Sequence, residues 1–166
     1  MANITLKGNP VTTCGDLPAV GSSAPDFSLS ASDLSLVNRS NFAGKKIVMN
    51  VFPSIDTPVC ATSVKKFNEQ AASLDNTVVL CISRDLPFAH KRFCGTEELE
   101  NVVPLSMYRS NEFGTSYGVE MSDGPLEGLF ARAIIVLDQD GKVLHNELVG
   151  EIADEPNYEA ALKSLG

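Results

Sequence analysis

The chain of 166 residues carries 21 Asp plus Glu against 13 Lys plus Arg, a net charge of -8, with 4 Cys, 2 His, no Trp and 43% hydrophobic residues. That length suits one domain, residues 1–166, and buries a core without disulfide staples, which become necessary below roughly 40 to 80 residues. The acidic balance disfavours nucleic acid, which needs clustered cations; apolar runs no longer than Ala133 to Leu137 exclude a membrane helix, which needs roughly 20 residues.

The first residues, Met1 to Lys7, lack the basic-then-apolar build of a secretory signal. The expected compartment is therefore the cytoplasm, where cysteines are more often catalytic or redox-active than structural.

Ile4 to Lys7 and Val11 to Thr13 flank Gly8-Asn9-Pro10 and predict an N-terminal β-hairpin. After a loop-rich stretch, Lys46 to Phe52 reads as a strand apolar on both faces, ended by Pro53. Cys60, Val64, Phe67, Ala71 and Leu74 form one apolar stripe at helical spacing, and Thr77 to Ser83 is the next buried strand. Strand, helix and strand make a βαβ unit with a parallel pair. Pro87 to Phe93 suits a short helix and Val102 to Met107 a strand. Ala131 to Leu137 and Lys142 to Leu148 form a hairpin through Asp138-Gln139-Asp140-Gly141. Glu155 to Leu165 closes the chain as a helix with Pro156 in its first turn. The expected class is α/β, a central mixed sheet flanked by helices.

Pro53-Ser54-Ile55-Asp56-Thr57-Pro58-Val59-Cys60 joins the first core strand to the striped helix. Thr57 followed by Pro58 reads as N-cap and first helical residue, with the Thr hydroxyl accepting from a first-turn amide. Cys60 then occupies the third helical position, where a capping box would carry Glu or Gln. As the first residue of an apolar stripe it could be a small core hydrophobe. Against that, free amides and the positive helix end favour a thiolate there. Full ionisation of a thiol that is roughly 3% ionised at pH 7 gains only about 30-fold. A fast thiol enzyme therefore also needs donors for charge developing on a leaving oxygen.

Pro53, Thr57 and Cys60 stand as Pro-x-x-x-Thr-x-x-Cys, which resembles the active-site motif of the peroxiredoxins. Residues 53 to 68 look like its thiol peroxidase branch. The likeness extends to Gly21 through Phe27, Arg92-Phe93-Cys94, Ala131-Arg132-Ala133 and Glu155-Pro156-Asn157-Tyr158. The resemblance implies a thioredoxin-like fold with an added N-terminal β-hairpin and reduction of hydrogen peroxide or alkyl hydroperoxides without a cofactor. By position, it makes Cys60 the peroxidatic nucleophile, passing through a sulfenic acid. Cys94 becomes the resolving cysteine, paired with Cys60 in an intramolecular disulfide. Thr57 and Arg132 become the donors to sulfur and peroxide, and Pro53 the shield. It further implies thioredoxin as reductant and a homodimer.

From the residues alone, Cys94 could be a spectator and Arg132 a strand-end side chain reaching to solvent. Because Cys60 and Cys94 fall on different elements and a disulfide needs α-carbons within about 7 Å, one of the two segments is expected to unwind in each cycle. Cys81 reads as a core thiol, and Cys14 has no assigned role. Gly114 to Gly118 fits a hydrolase elbow, with Asp138 and His145 following in triad order, but Tyr108 to Phe113 is too polar for the required buried strand. No Cys or His pair has zinc-site spacing. A non-catalytic thioredoxin-fold redox sensor or binding protein is the alternative to the peroxidase.

Overall fold

Period-two apolar patterning on long β-branched runs builds the centre of the molecule. In the computed structural model, which describes all 166 residues, β1 (Asn3–Leu6) and β2 (Asn9–Thr12) form the N-terminal hairpin. Its reversal falls at Lys7 and Gly8 rather than across Gly8-Asn9-Pro10, and both residues take positive φ, as the two-residue type I′ turn demands. Pro10 sits inside the two-stranded ribbon opposite Thr5.

The main sheet has seven strands. They are β3 (Leu29–Ser30), β4 (Leu36–Val37), β5 (Lys46–Val51), β6 (Thr77–Ser83), β7 (Val103–Ser106), β8 (Ala133–Leu137) and β9 (Val143–Leu148), ordered β4-β3-β7-β6-β5-β8-β9. β5, β6 and β7 run parallel, whereas β3, β8 and β9 pair antiparallel with their neighbours, giving the mixed sheet expected. The helices are α1 (Pro58–Ala71), α2 (Pro87–Thr96), α3 (Glu112–Ser116) and α4 (Tyr158–Lys163). The very short β3, β4 and α3 carry too few residues for periodicity to reveal them. α4 starts later than expected, because Asn157 caps it by accepting from the Ala160 amide, leaving Pro156 outside.

Alternation divides the core between the two faces of the sheet. Ile47, Met49 and Val51 of β5 face one cluster with Leu80, Ile82, Ala133 and Ile135. Val48, Val79, Ile134 and Val136 face the other, against Cys60, Val64 and Phe67 of α1 and Ala161 of α4. The apolar stripe thus packs as its spacing predicts, although α1 ends at Ala71 and leaves Leu74 beyond it.

Candidate active site

β5 ends at Val51, one residue short of the expected Phe52; buried Pro53 follows, and the chain then turns through Ser54 to Thr57 into α1. Pro58 is the first helical residue and Cys60 the third, as expected, with Cys60 0% exposed. The first intrahelical bond runs from the Ala61 amide to the Thr57 carbonyl, so the Val59 and Cys60 amides have no protein acceptor. One expectation fails here. Thr57 occupies the N-cap with extended backbone, but its hydroxyl makes no capping bond and instead donates to the Ser54 carbonyl at 2.9 Å. The tight turn back to Ser54 captures the hydroxyl before it can reach the helix amides.

Behind the helix lies a buried polar relay. Ser63 Oγ donates to the Cys60 carbonyl at 2.8 Å, and Asn50 Nδ2 donates to Ser63 Oγ at 3.2 Å. Neither residue was singled out from the sequence, though an Asn inside an otherwise apolar strand was the available signal.

Sheet register brings in the arginine. β8 pairs antiparallel with β5, Val51 opposite Ala133, so Arg132 falls beside the chain just as it leaves β5 for the cysteine loop. The solvent-reaching alternative for Arg132 is overturned: it lies outside the strand, which begins at Ala133, and is 2% exposed. Its Nε donates to the Ile152 carbonyl at 3.0 Å and its Nη2 to Cys60 Sγ at 3.3 Å. Nη1 is buried without a partner. A fixed planar fork, one prong on sulfur and one prong free, is an arrangement lysine cannot reproduce.

Beside this pair opens a cavity of about 510 Å³, walled by Pro53, Thr57, Leu126, Leu129, Arg132 and Ile152. The N-terminal hairpin adds Leu6 and Lys7 to the wall. The hairpin is fastened by Glu151, whose carboxylate accepts from the Thr5 hydroxyl at 2.7 Å and from the Lys7, Gly8 and Ala153 amides. The Thr5 hydroxyl and then these amides hold the Glu151 carboxyl down to about 2.

The Redoxin family profile matches residues 19–162. The chain is 58% identical to the thiol peroxidases of Mycobacterium tuberculosis (strain H37Rv) and Mycobacterium bovis over 166 residues, covering all of this chain and 99% of each relative. The chain belongs to the Redoxin family, in its thiol peroxidase branch. A solved peroxiredoxin-like protein from Aquifex aeolicus matches 99% of this chain, and 96% of its own, at 40% identity and TM-score 0.90. A thiol peroxidase from Chromobacterium violaceum shares the fold at TM-score 0.90 with 22% identity, over 97% of this chain and 93% of its own. The protein is therefore a peroxidase of the peroxiredoxin class, with a thioredoxin-like fold.

The remaining thiols of this peroxiredoxin are all unbridged. Cys94 lies in the last turn of α2, half-buried beside an open cleft with Lys91 and Glu98, and burial pushes its thiol up. Cys81 is a core residue of β6, 1% exposed, and burial pushes its thiol up strongly. Cys14 is exposed, with Sγ 3.5 Å from the Gly114 carbonyl. The hydrolase pattern dissolves: Ser116 is the last residue of α3, not the apex of a strand-to-helix elbow.

Proposed function

We propose that the chain, acting as one domain, reduces hydroperoxides with Cys60 as peroxidatic nucleophile, Cys94 as resolving thiol, and Thr57, Arg132 and Pro53 as the surrounding machinery. The observation that carries this reading is the Arg132 fork, 3.3 Å from a fully buried thiol at a helix N-terminus and bordering an apolar cavity. The Cys60 thiolate attacks the terminal peroxide oxygen. A sulfur–oxygen bond forms, the oxygen–oxygen bond breaks, and the departing alkoxide or hydroxide takes a proton, leaving a sulfenic acid. The unpaired Arg132 Nη1 and the free Val59 and Cys60 amides are donors for charge moving from sulfur to leaving oxygen. Rotated off Ser54, the Thr57 hydroxyl would join them. Pro53 covers the loop and offers no competing amide.

Cys94 then attacks the sulfenate sulfur, forming a disulfide and releasing water. Both thiols are free here and sit on separate helices, one of them wholly buried, so bridging requires displacement of α1's first turn or of α2. A dithiol reductant, for which we propose thioredoxin, returns both cysteines to thiols. The mainly apolar cavity supports organic hydroperoxides as substrates alongside hydrogen peroxide. A homodimer in the cytoplasm completes the proposal; exposed Leu86, Phe88 and Tyr108 supply apolar surface that pairing would cover.

Peroxide consumption with thioredoxin, its reductase and NADPH tests the reading and separates it from a redox sensor. Catalytic turnover abolished by Cys60→Ser is expected. Stoichiometric oxidation without turnover, or full activity in that variant, overturns it.

A further inference from the structure

One largely buried carboxylate, its side chain 12% exposed, lies between the cysteine loop and the helix that carries Cys94. This is Asp85, which follows β6. Its Oδ1 accepts from Ser54 Oγ at 2.8 Å, and its Oδ2 accepts from the Ile55 amide at 2.7 Å and from Ser83 Oγ at 2.6 Å. Three donors from two segments thus converge on one carboxylate. Ser54 and Ile55 are the residues that set the path from Pro53 into α1.

The other side of this group reaches α2. His90, 1% exposed, has Nε2 at 2.8 Å from Ser83 Oγ and 3.8 Å from Asp85 Oδ2, so it engages the carboxylate through the serine. The proton count fixes the direction of each bond. Ser83 has one hydroxyl hydrogen, committed to Asp85 at 2.6 Å, and its oxygen already accepts from the Asp85 amide at 3.1 Å. His90 Nε2 must therefore be the donor, which leaves Nδ1 as a buried nitrogen with no partner. A second tie runs outside: Arg92 Nη2 donates to Asp56 Oδ1 at 2.8 Å. His90 lies one helical turn before Cys94 on α2, with Arg92 between them in sequence. The loop leading into α1 and helix α2, one of which the proposed Cys60–Cys94 bridge displaces, are thus fastened to each other through Asp85.

We infer that Asp85 is a positioning residue, a latch joining the Ser54–Thr57 loop to α2 through Ser83 and His90. Closed, it holds Cys60 and Arg132 in the geometry for peroxide attack; released, it lets Cys94 reach the sulfenate. The inference rests on the Cys60–Cys94 cycle proposed above. Loss of one charge-assisted hydrogen bond in a buried site changes an equilibrium by on the order of tenfold or more. The latch therefore sets the partition between attack and resolution.

The test treats the reduced full chain with hydrogen peroxide, followed by rapid acid quench and intact mass, which separates thiol, sulfenate and disulfide forms. In Asp85→Asn the attack rate is expected to fall about tenfold while the sulfenate-to-disulfide rate rises. In His90→Leu resolution is expected to rise several-fold, with a smaller fall in attack than in Asp85→Asn, because Ser54 and Ile55 keep their carboxylate. His90→Gln keeps a donor near the Nε2 position and should restore the wild-type resolution rate. General loosening of the fold would not drive the two rates in opposite directions, nor be rescued by Gln. If the rates move together or stay within twofold of wild type in both Asp85→Asn and His90→Leu, the latch is overturned while the peroxidase cycle stands. If the wild type forms no Cys60–Cys94 bridge, both fall. The His90 pair keeps the test decisive should Asp85→Asn fail to fold.

Discussion

Arg132→Lys keeps the charge and removes the fork. The wild-type side chain bonds the Ile152 carbonyl at 3.0 Å and Cys60 Sγ at 3.3 Å and still holds a free Nη1. A lysine ammonium is a single point on a flexible stem and cannot occupy three such positions together. Hydrogen bonds to charged groups contribute about 1.5–3 kcal/mol, so losing the one aimed at sulfur and leaving oxygen slows attack roughly 10- to 150-fold. Arg132→Met adds a further cost, because the buried Ile152 carbonyl loses its partner, worth about 1–3 kcal/mol of stability. The assay is the second-order rate of Cys60 oxidation, followed by quench and intact mass, with urea unfolding run in parallel. A lysine variant within twofold of wild type would refute the assignment of the fork to the transition state. So would a loss fully explained by unfolding.

Cys94→Ser is expected to retain single-turnover oxidation and to lose reductant-supported cycling, with sulfenate trapped by a carbonyl nucleophile; continued cycling would mean another thiol resolves it. Glu151→Gln should loosen the hairpin wall, raising KM several-fold for a bulky alkyl hydroperoxide and leaving hydrogen peroxide unaffected. Because the Glu151 carboxyl is held at about 2, against an ordinary 4.5, its grip is complete above pH 4.5 and is lost only as pH falls through about 2. Lys7 and Gly8 amide protection persisting at pH 4 in hydrogen exchange, and reduced in the Gln variant, whose side chain keeps only one acceptor oxygen, checks that sign. Phe67→Ala, in a fully buried site packed edge-on to Tyr158, should cost about 3–5 kcal/mol in urea unfolding.

The βαβ core, the Asp-Gly hairpin and the third-position cysteine were legible because each rests on local pattern: apolar period, turn chemistry, and proline at a helix start. Arg132 was not legible from local pattern, since its burial follows from the pairing of Val51 with Ala133, more than 80 residues apart. Only family likeness pointed to its role. Thr57 misled in a smaller way. Its type and position both suit a cap, yet the turn geometry gives its hydroxyl a nearer acceptor in Ser54. Asp85, Ser83 and His90 were missed for a third reason: a loop Asp, a strand-end Ser and a helix His have ordinary separate explanations, and only the fold stacks them.

The idle cap at Thr57 sets thermal robustness against turnover. A helix without side-chain capping forgoes about 1 kcal/mol, and replacing Thr57 by Asp is the substitution a stability engineer would choose first, for both the cap bond and the helix dipole. Here it would place a carboxylate one turn from the sulfur proposed to carry negative charge, and would strengthen one of the two segments proposed to move for resolution. A thermostable variant obtained at this position should be a sluggish enzyme, so its improvement is better sought elsewhere, on the far face of the sheet.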